Sequence, residues 1–220
     1  MITAPVFIGG HSLGAAHAFL YAWSRIKRGL PVAGIYALAS PNPGDSTIRQ
    51  TLESHQAING LTVSSLWNGR DYVPGVPIDI ELFDEDYARP WADTEIYEVP
   101  PDRPIKLDAW HGIALYQAGA HKLPPSGAAV ELGTGADLIA RLYQTADGWD
   151  WISPVDGAYW AIKILPNGAR LAIARGSVTL ADWLDDFDAR QIVVMGARVS
   201  EGFWRGVAAA QEALDAHLAA

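Results

Sequence analysis

Pro5-Val6-Phe7-Ile8-Gly9-Gly10-His11-Ser12-Leu13-Gly14-Ala15-Ala16 is the stretch that decides how this chain folds. Val6, Phe7 and Ile8 have the apolar character of a short buried strand, glycines end it, and the small residues after Ser12 read as a helix. Inside the stretch lies G-x-S-x-G, as Gly10-His11-Ser12-Leu13-Gly14. A serine held on a sharp strand-to-helix turn needs neighbours without bulk, because a Cβ clashes where the two backbones approach. The helix N-terminus aims its free amides at the space above Ser12, where a negative oxygen can form. The pattern predicts a serine nucleophile. The plainer alternative is a tight turn that contains a serine by chance, and the remainder of the chain bears on the choice.

With 220 residues, half of them hydrophobic, residues 1–220 suffice for a single well-buried domain. The absence of cysteine excludes disulfides, thiol catalysis and cysteine-ligated metals. A net charge of −9 argues against nucleic acid and strongly anionic membranes as partners. No apolar run is long enough to span a bilayer. No basic leader follows Met1, so the expectation is no signal peptide and a cytoplasmic location for the chain as written. No cofactor is called for. The acidic stretch 79–98 lacks the Asp-x-Asp-x-Asp-Gly spacing of a calcium loop, and reads as a solvated excursion with a short strand over 95–99. His11 and His17 lack H-E-x-x-H spacing, so no metal site is expected.

From the first strand onward the pattern alternates. A helix over 12–28 stops at Arg25, Lys27, Arg28 and Gly29. A second strand covers 32–39, a second helix 46–57 and a third strand 61–67. Such a series implies a parallel sheet with helices on its faces, and ligands in such sheets sit beyond the carboxyl ends of the strands. Asp71 is the first carboxylate past the third strand, in a turn pinned by Pro74 and Pro77. It is read as the acid that orients a histidine, against the alternative of an ordinary surface aspartate. His111, at the start of a helix, completes the order Ser, Asp, His. His121 is the reserve. His11 is expected to point away from the serine, and His17, His55 and His217 lie in helices elsewhere. Residues 119–133 read as a linker, 134–146 as an amphipathic helix, and the runs around Asn167-Gly168 as a hairpin.

These residues together resemble the class 3 (fungal-type) lipase family over most of the chain. Gly10 to Gly14 is similar to its nucleophile elbow, and Ser40-Pro41-Asn42-Pro43-Gly44 to its S-P-x-x-G segment. Asn68-Gly69-Arg70-Asp71-Tyr72-Val73-Pro74 resembles its acid-bearing N-x-x-D-x-V-P, and His111 with Tyr116 its histidine helix. Arg175-Gly176-Ser177 and Asp182-Trp183-Leu184 resemble the oxyanion strand and the helix after it. Val199-Ser200-Glu201-Gly202-Phe203 resembles the entry to the long helix that precedes the elbow strand. One departure is Ala15, where a third glycine is common. The last motifs come after the nucleophile here and before it in the family, so the order reads as circularly permuted, with 119–133 joining the ancestral termini; a fused fragment pair or a family variant with the same topology is the alternative.

The resemblance implies an α/β-hydrolase fold, a central, mostly parallel sheet flanked by helices. It implies a serine carboxylic-ester hydrolase, a lipase or esterase acting on neutral acyl esters, with Ser12 as nucleophile, His111 as base and Asp71 as orienting acid. The backbone amides of Leu13 and Ser177 would bind the oxyanion. Leu180, Trp183, Leu184 and Phe187 form an apolar stripe, either a lid meeting a lipid–water interface or a helix packed permanently on the core. Phospholipase A1 or feruloyl-type esterase work fits the same residues, and a non-catalytic lipase-like binding module is the different class to test against.

Overall fold

The computed structural model describes residues 4–69, 71–75, 87–96, 111–153, 159–176 and 190–220. The first strand, β1 (Val6–His11), is buried along its whole length, as expected of a strand covered on both faces. It runs into α1 (Leu13–Lys27), followed by β2 (Gly34–Leu38), α2 (Ser46–Asn59) and β3 (Thr62–Asn68). A short 3-10 turn at Val73–Gly75 precedes β4 (Thr94–Ile96). Two helices follow, α3 (Ile113–Ala120) and α4 (Leu132–Leu142), then β5 (Trp151–Ile152), β6 (Trp160–Ile164) and β7 (Arg170–Ala174). The hairpin β8 (Gln191–Val194) and β9 (Ala197–Ser200) leads into the long α5 (Glu201–Ala219).

Seven strands form one sheet in the order β4-β3-β2-β1-β7-β6-β5. β1 pairs in parallel with β2 and β7, and β3 in parallel with β2 and β4. Only β5, β6 and β7 are joined antiparallel, with β6 and β7 connected through Asn167 and Gly168, the latter at φ +81°. The fold is therefore α/β, a mostly parallel sheet with helices on both faces. Alternate residues of β1 divide the core: Ile8 packs in the layer of α1, α2 and α5, and Phe7 in the layer of α3 and α4.

Caps fix two of the helix starts. The Asp45 carboxylate accepts the Thr47 amide at the head of α2 at 2.9 Å and, through its other oxygen, the Arg198 amide of β9 at 2.8 Å. One side chain thus starts a helix and ties the β8–β9 hairpin to the carboxyl end of β2. Ser200 caps α5 by accepting the Phe203 amide. Asp215 on α5 accepts from Tyr21 at 2.8 Å and Arg25 at 2.6 Å and pairs with Arg28, which clamps α5 onto α1. Near the far end of α5 the Arg170 guanidinium donates to the Leu218 carbonyl, while the Arg170 amide donates to Pro5 at 2.9 Å. The last turn of α5 and the entry to β1 therefore meet at one residue.

One expectation changes in part. Of the acidic stretch 79–98, the described part 87–96 is only partly solvated: Ala92, Thr94 and Glu95 are exposed, but Tyr87 and Ile96 are buried, and the Asp93 carboxylate accepts Ser65 Oγ at 2.6 Å and pairs with Arg89. Acidic composition suggested exposure, but the one described carboxylate that turns inward has its own cation and hydroxyl. The expected linker 119–133 begins in the last turn of α3 and ends in the first turn of α4. Its ends join helices that pack together, and the Glu131 carboxylate accepts the amides of Ser126 and Gly127.

His17, on α1, is buried against Trp160 of β6 with ring centroids 6.3 Å apart, and its Nδ1 has no hydrogen-bond partner. Burial pulls this imidazole from its ordinary 6.5 down to about 4. The folded chain holds the ring neutral, whereas the unfolded chain protonates it near 6.5. Stability is thus undiminished above that pH and falls as the pH drops toward 4, by about 3 kcal/mol from this group. His17→Phe, which keeps the stack, should leave stability at pH 7 within about 1 kcal/mol and flatten the loss between pH 6.5 and 4 in chemical denaturation.

Candidate active site

The elbow is built by close approach of backbones. Ser12 sits at φ +59° and ψ −132°, a conformation that L residues avoid, and its amide donates to the Leu38 carbonyl of β2 at 2.9 Å. A Cβ on Gly10 would lie 2.2 Å from the Gly14 carbonyl oxygen, and one on Gly14 would lie 2.2 Å from the Ala174 carbonyl oxygen. The two motif glycines are therefore required by contact, Gly10 against the helix and Gly14 against β7. Ala15 is fully buried and its methyl is accommodated in the core. Leu13 heads α1, so its amide is among the first-turn donors that have no partner within the helix.

β7 brings the loop after it to the same place. A Cβ on Gly176 would lie 3.0 Å from Ser12 Cβ and 2.5 Å from the His11 carbonyl oxygen. Ser177, the expected second oxyanion donor, lies outside the described residues, as do Leu180, Trp183, Leu184 and Phe187. Arg175 is fixed just before it: its amide donates to Tyr159 at 2.8 Å and its guanidinium lies 4.2 Å from the Tyr159 ring centroid.

Asp71 follows β3 and is buried. Its Oδ1 accepts the Val73 amide at 3.0 Å, and its Oδ2 accepts the Tyr116 hydroxyl at 2.6 Å. His111 Nδ1 lies 2.7 Å from the same Oδ2. A carboxylate that accepts three donors has both oxygens satisfied and one orientation. Since Nδ1 faces an acceptor, it carries the proton, and a neutral His111 ring then presents Nε2 as a bare lone pair. That Nε2 is buried without a hydrogen-bond partner. No hydrogen bond joins it to Ser12 Oγ. The proximity of His111 to the elbow is carried instead by His11, the chain neighbour of Ser12. The His11 and His111 rings lie 4.7 Å apart, and His11 Nε2 is 2.9 Å from the His111 carbonyl oxygen.

His11, read from the sequence as pointing away from the serine, packs among His111, Tyr116 and Tyr143. Its position inside G-x-S-x-G was the one available signal, and strand periodicity alone does not say which ring it meets. Tyr143, just past α4, reads from the sequence only as part of the apolar face of the helix expected over 134–146. His121 is exposed, and its Nε2 lies 2.8 Å from Asp137, so it has its own partner away from the elbow. Among the described residues no cluster of histidine and carboxylate side chains is suited to a metal ion. No helix among them is long and apolar enough to cross a membrane.

The class 3 lipase family model matches residues 3–81, the part of the chain that holds the elbow, β2, β3 and Asp71. That match and the sheet agree on the α/β-hydrolase class of fold, and the match supports a lipase- or esterase-type hydrolase. His111 and the motifs at 175–203 lie beyond the matched residues. No curated protein and no solved structure matches the chain.

Gly14→Ala puts a methyl into a backbone carbonyl that cannot rotate away. Equilibrium denaturation should show a loss exceeding about 2 kcal/mol, whereas substitution at the unobstructed exposed position Ile58→Ala should change stability by less than about 0.5 kcal/mol.

Proposed function

We propose that this chain is a serine carboxylic-ester hydrolase, a lipase or esterase acting on neutral acyl esters. The observation that carries the reading is the pairing of a strained serine at a helix head with a histidine whose Nδ1 is tied to a buried carboxylate and whose Nε2 is left with a bare lone pair. The class 3 lipase match over the elbow and the acid supports it further.

In this reading Ser12 Oγ attacks the ester carbonyl carbon while its proton passes to His111 Nε2. Asp71 holds the Nδ1–H tautomer and stabilises the imidazolium that results. The carbonyl oxygen becomes an oxyanion, bound by the Leu13 amide and by that of Ser177. Each such donor is worth about 3 kcal/mol of transition-state stabilisation. Collapse expels the alcohol, which takes the proton from Nε2 and leaves an acyl group on Ser12. Water then repeats the sequence, releasing the acid and restoring the hydroxyl. The stripe of Leu180, Trp183, Leu184 and Phe187 is the candidate lid, the alternative being a helix packed permanently on the core. The motif order reflects circular permutation, a reading supported by the meeting of Pro5 and Leu218 at Arg170.

An active-site fluorophosphonate should label the protein, and Ser12→Ala should abolish labelling and lower p-nitrophenyl ester hydrolysis by about a millionfold. Labelling that survives Ser12→Ala, or a folded parent protein inert toward esters of every chain length, overturns the reading. Asp71→Asn should lower kcat by about 10⁴-fold with the fold intact by circular dichroism. Activity on long-chain esters that rises steeply past the substrate's solubility limit is the expected signature of the lid.

A further inference from the structure

His11 is buried and has no part in the chemistry just described, yet it bridges the two halves of the site. Its Nε2 lies 2.9 Å from the His111 carbonyl oxygen, which can only accept, so Nε2 carries the ring proton. Nδ1 of the neutral ring is then an acceptor, and the Tyr143 hydroxyl lies 3.2 Å from it. The His11 carbonyl, 3.5 Å from that hydroxyl, is the longer alternative on the same residue. The Tyr143 oxygen in turn accepts the Gly176 amide at 2.9 Å. Every donor and acceptor in the series is consistent with a single direction: Gly176 N–H to Tyr143, Tyr143 O–H to His11, and His11 Nε2–H to the backbone of His111.

We propose that His11 and Tyr143 form a positioning relay that couples the backbone of His111 to Gly176 just past the end of β7, so that the base is set by one hydrogen-bonded chain anchored on the strand beside the elbow. The proposal rests on the reading of His111 as the base. The geometry gives it a reason. His111 lies ahead of α3, where Asp71 fixes the ring through Nδ1 but leaves the backbone to be held by something else. The His11 side chain holds it, from a strand whose register is set by β2 and β7. The same Tyr143 oxygen fixes the residue before Ser177. Desolvation and the neighbouring His111 depress the His11 imidazole well below 6.5, which keeps it in the neutral form the chain needs.

The test uses two amides that differ in reach. His11→Gln places an N–H near the position of Nε2, whereas the shorter amide of His11→Asn reaches only the position of Nδ1. With p-nitrophenyl butyrate, His11→Gln should retain kcat within about fivefold, and His11→Asn and His11→Leu should lose roughly 10- to 100-fold, all with KM within about twofold. Tyr143→Phe should also lower kcat, and His11→Leu should cost less in the Tyr143→Phe background than in the parent, since the relay is already cut. Equal kcat for His11→Gln and His11→Asn, or strictly multiplicative effects of the Leu and Phe variants, overturns the relay. If His11→Leu does not fold, the Gln and Asn comparison decides alone, because both put one polar amide in the same cavity. His111→Ala separates the two levels. Parental hydrolysis in that variant overturns the assigned base and the relay with it, whereas an inert His111→Ala beside equal Gln and Asn variants overturns the relay only.

Discussion

The close crossing of three backbones around Ser12 is the constraint on which the rest of the structure depends. β1 must reach the serine, α1 must leave it at once, and β7 must run alongside, all within the space a single methyl would fill. Gly10 yields to the helix and Gly14 to β7, so the glycines define where the sheet and helix layers meet. The strain at φ +59° persists because the surroundings over-determine it: the Ser12 amide is held by β2 and the first helical turn is held by the Ser12 carbonyl. A serine so placed is presented at the carboxyl edge of the sheet, over a helix head rich in amides.

Charge is handled there by sharing one buried carboxylate among three donors. Asp71 is fully desolvated at its side chain, a situation that is unfavourable unless every lone pair is engaged. The Val73 amide comes from its own turn, the Tyr116 hydroxyl from α3, and the His111 ring from the residue ahead of that helix. Tyr116 also accepts the Asn68 amide at the end of β3. One phenol therefore locks the acid's strand to the helix that carries the histidine. The network rigidifies the site because the removal of any one donor leaves a buried acceptor short.

The half of the chain with strict periodicity was legible, and the half whose pairing depends on distant partners was not. β1, α1, β2, α2 and β3 were readable from apolar runs, glycine stops and proline breaks, with boundaries within a residue or two. Asn167-Gly168 announced the β6–β7 hairpin by turn chemistry. β8 and β9 were missed because Gln191 to Ser200 alternates weakly and is tied to the segment after β2 through Pro43, Gly44 and Asp45, far away in sequence. β5 is two residues long and exists by pairing with β6. Ser12, Asp71 and His111 could be singled out as candidates by type and order, since each adjoins a recognisable element. His11 and Tyr143 could not, because their roles are set by a hydrogen-bonded contact spanning 132 residues.

That long-range contact also explains why motif order is a weak constraint on this kind of site. β7 lies beside β1 although the two are separated by most of the chain, and its register is fixed strand to strand: Gly10 faces Ala174 and Phe7 faces Leu171. Nothing in that pairing depends on which strand is synthesised first. What it requires is that β1 be flanked on both sides, by β2 on one and β7 on the other, so that no edge is left at the elbow. The antiparallel turn into β7 supplies this from the late part of the chain, and α5 then returns over α1 to the residue where β1 enters the sheet. The elbow, the acid and the histidine are positioned by neighbours in space, and the sheet satisfies those neighbours in the present order.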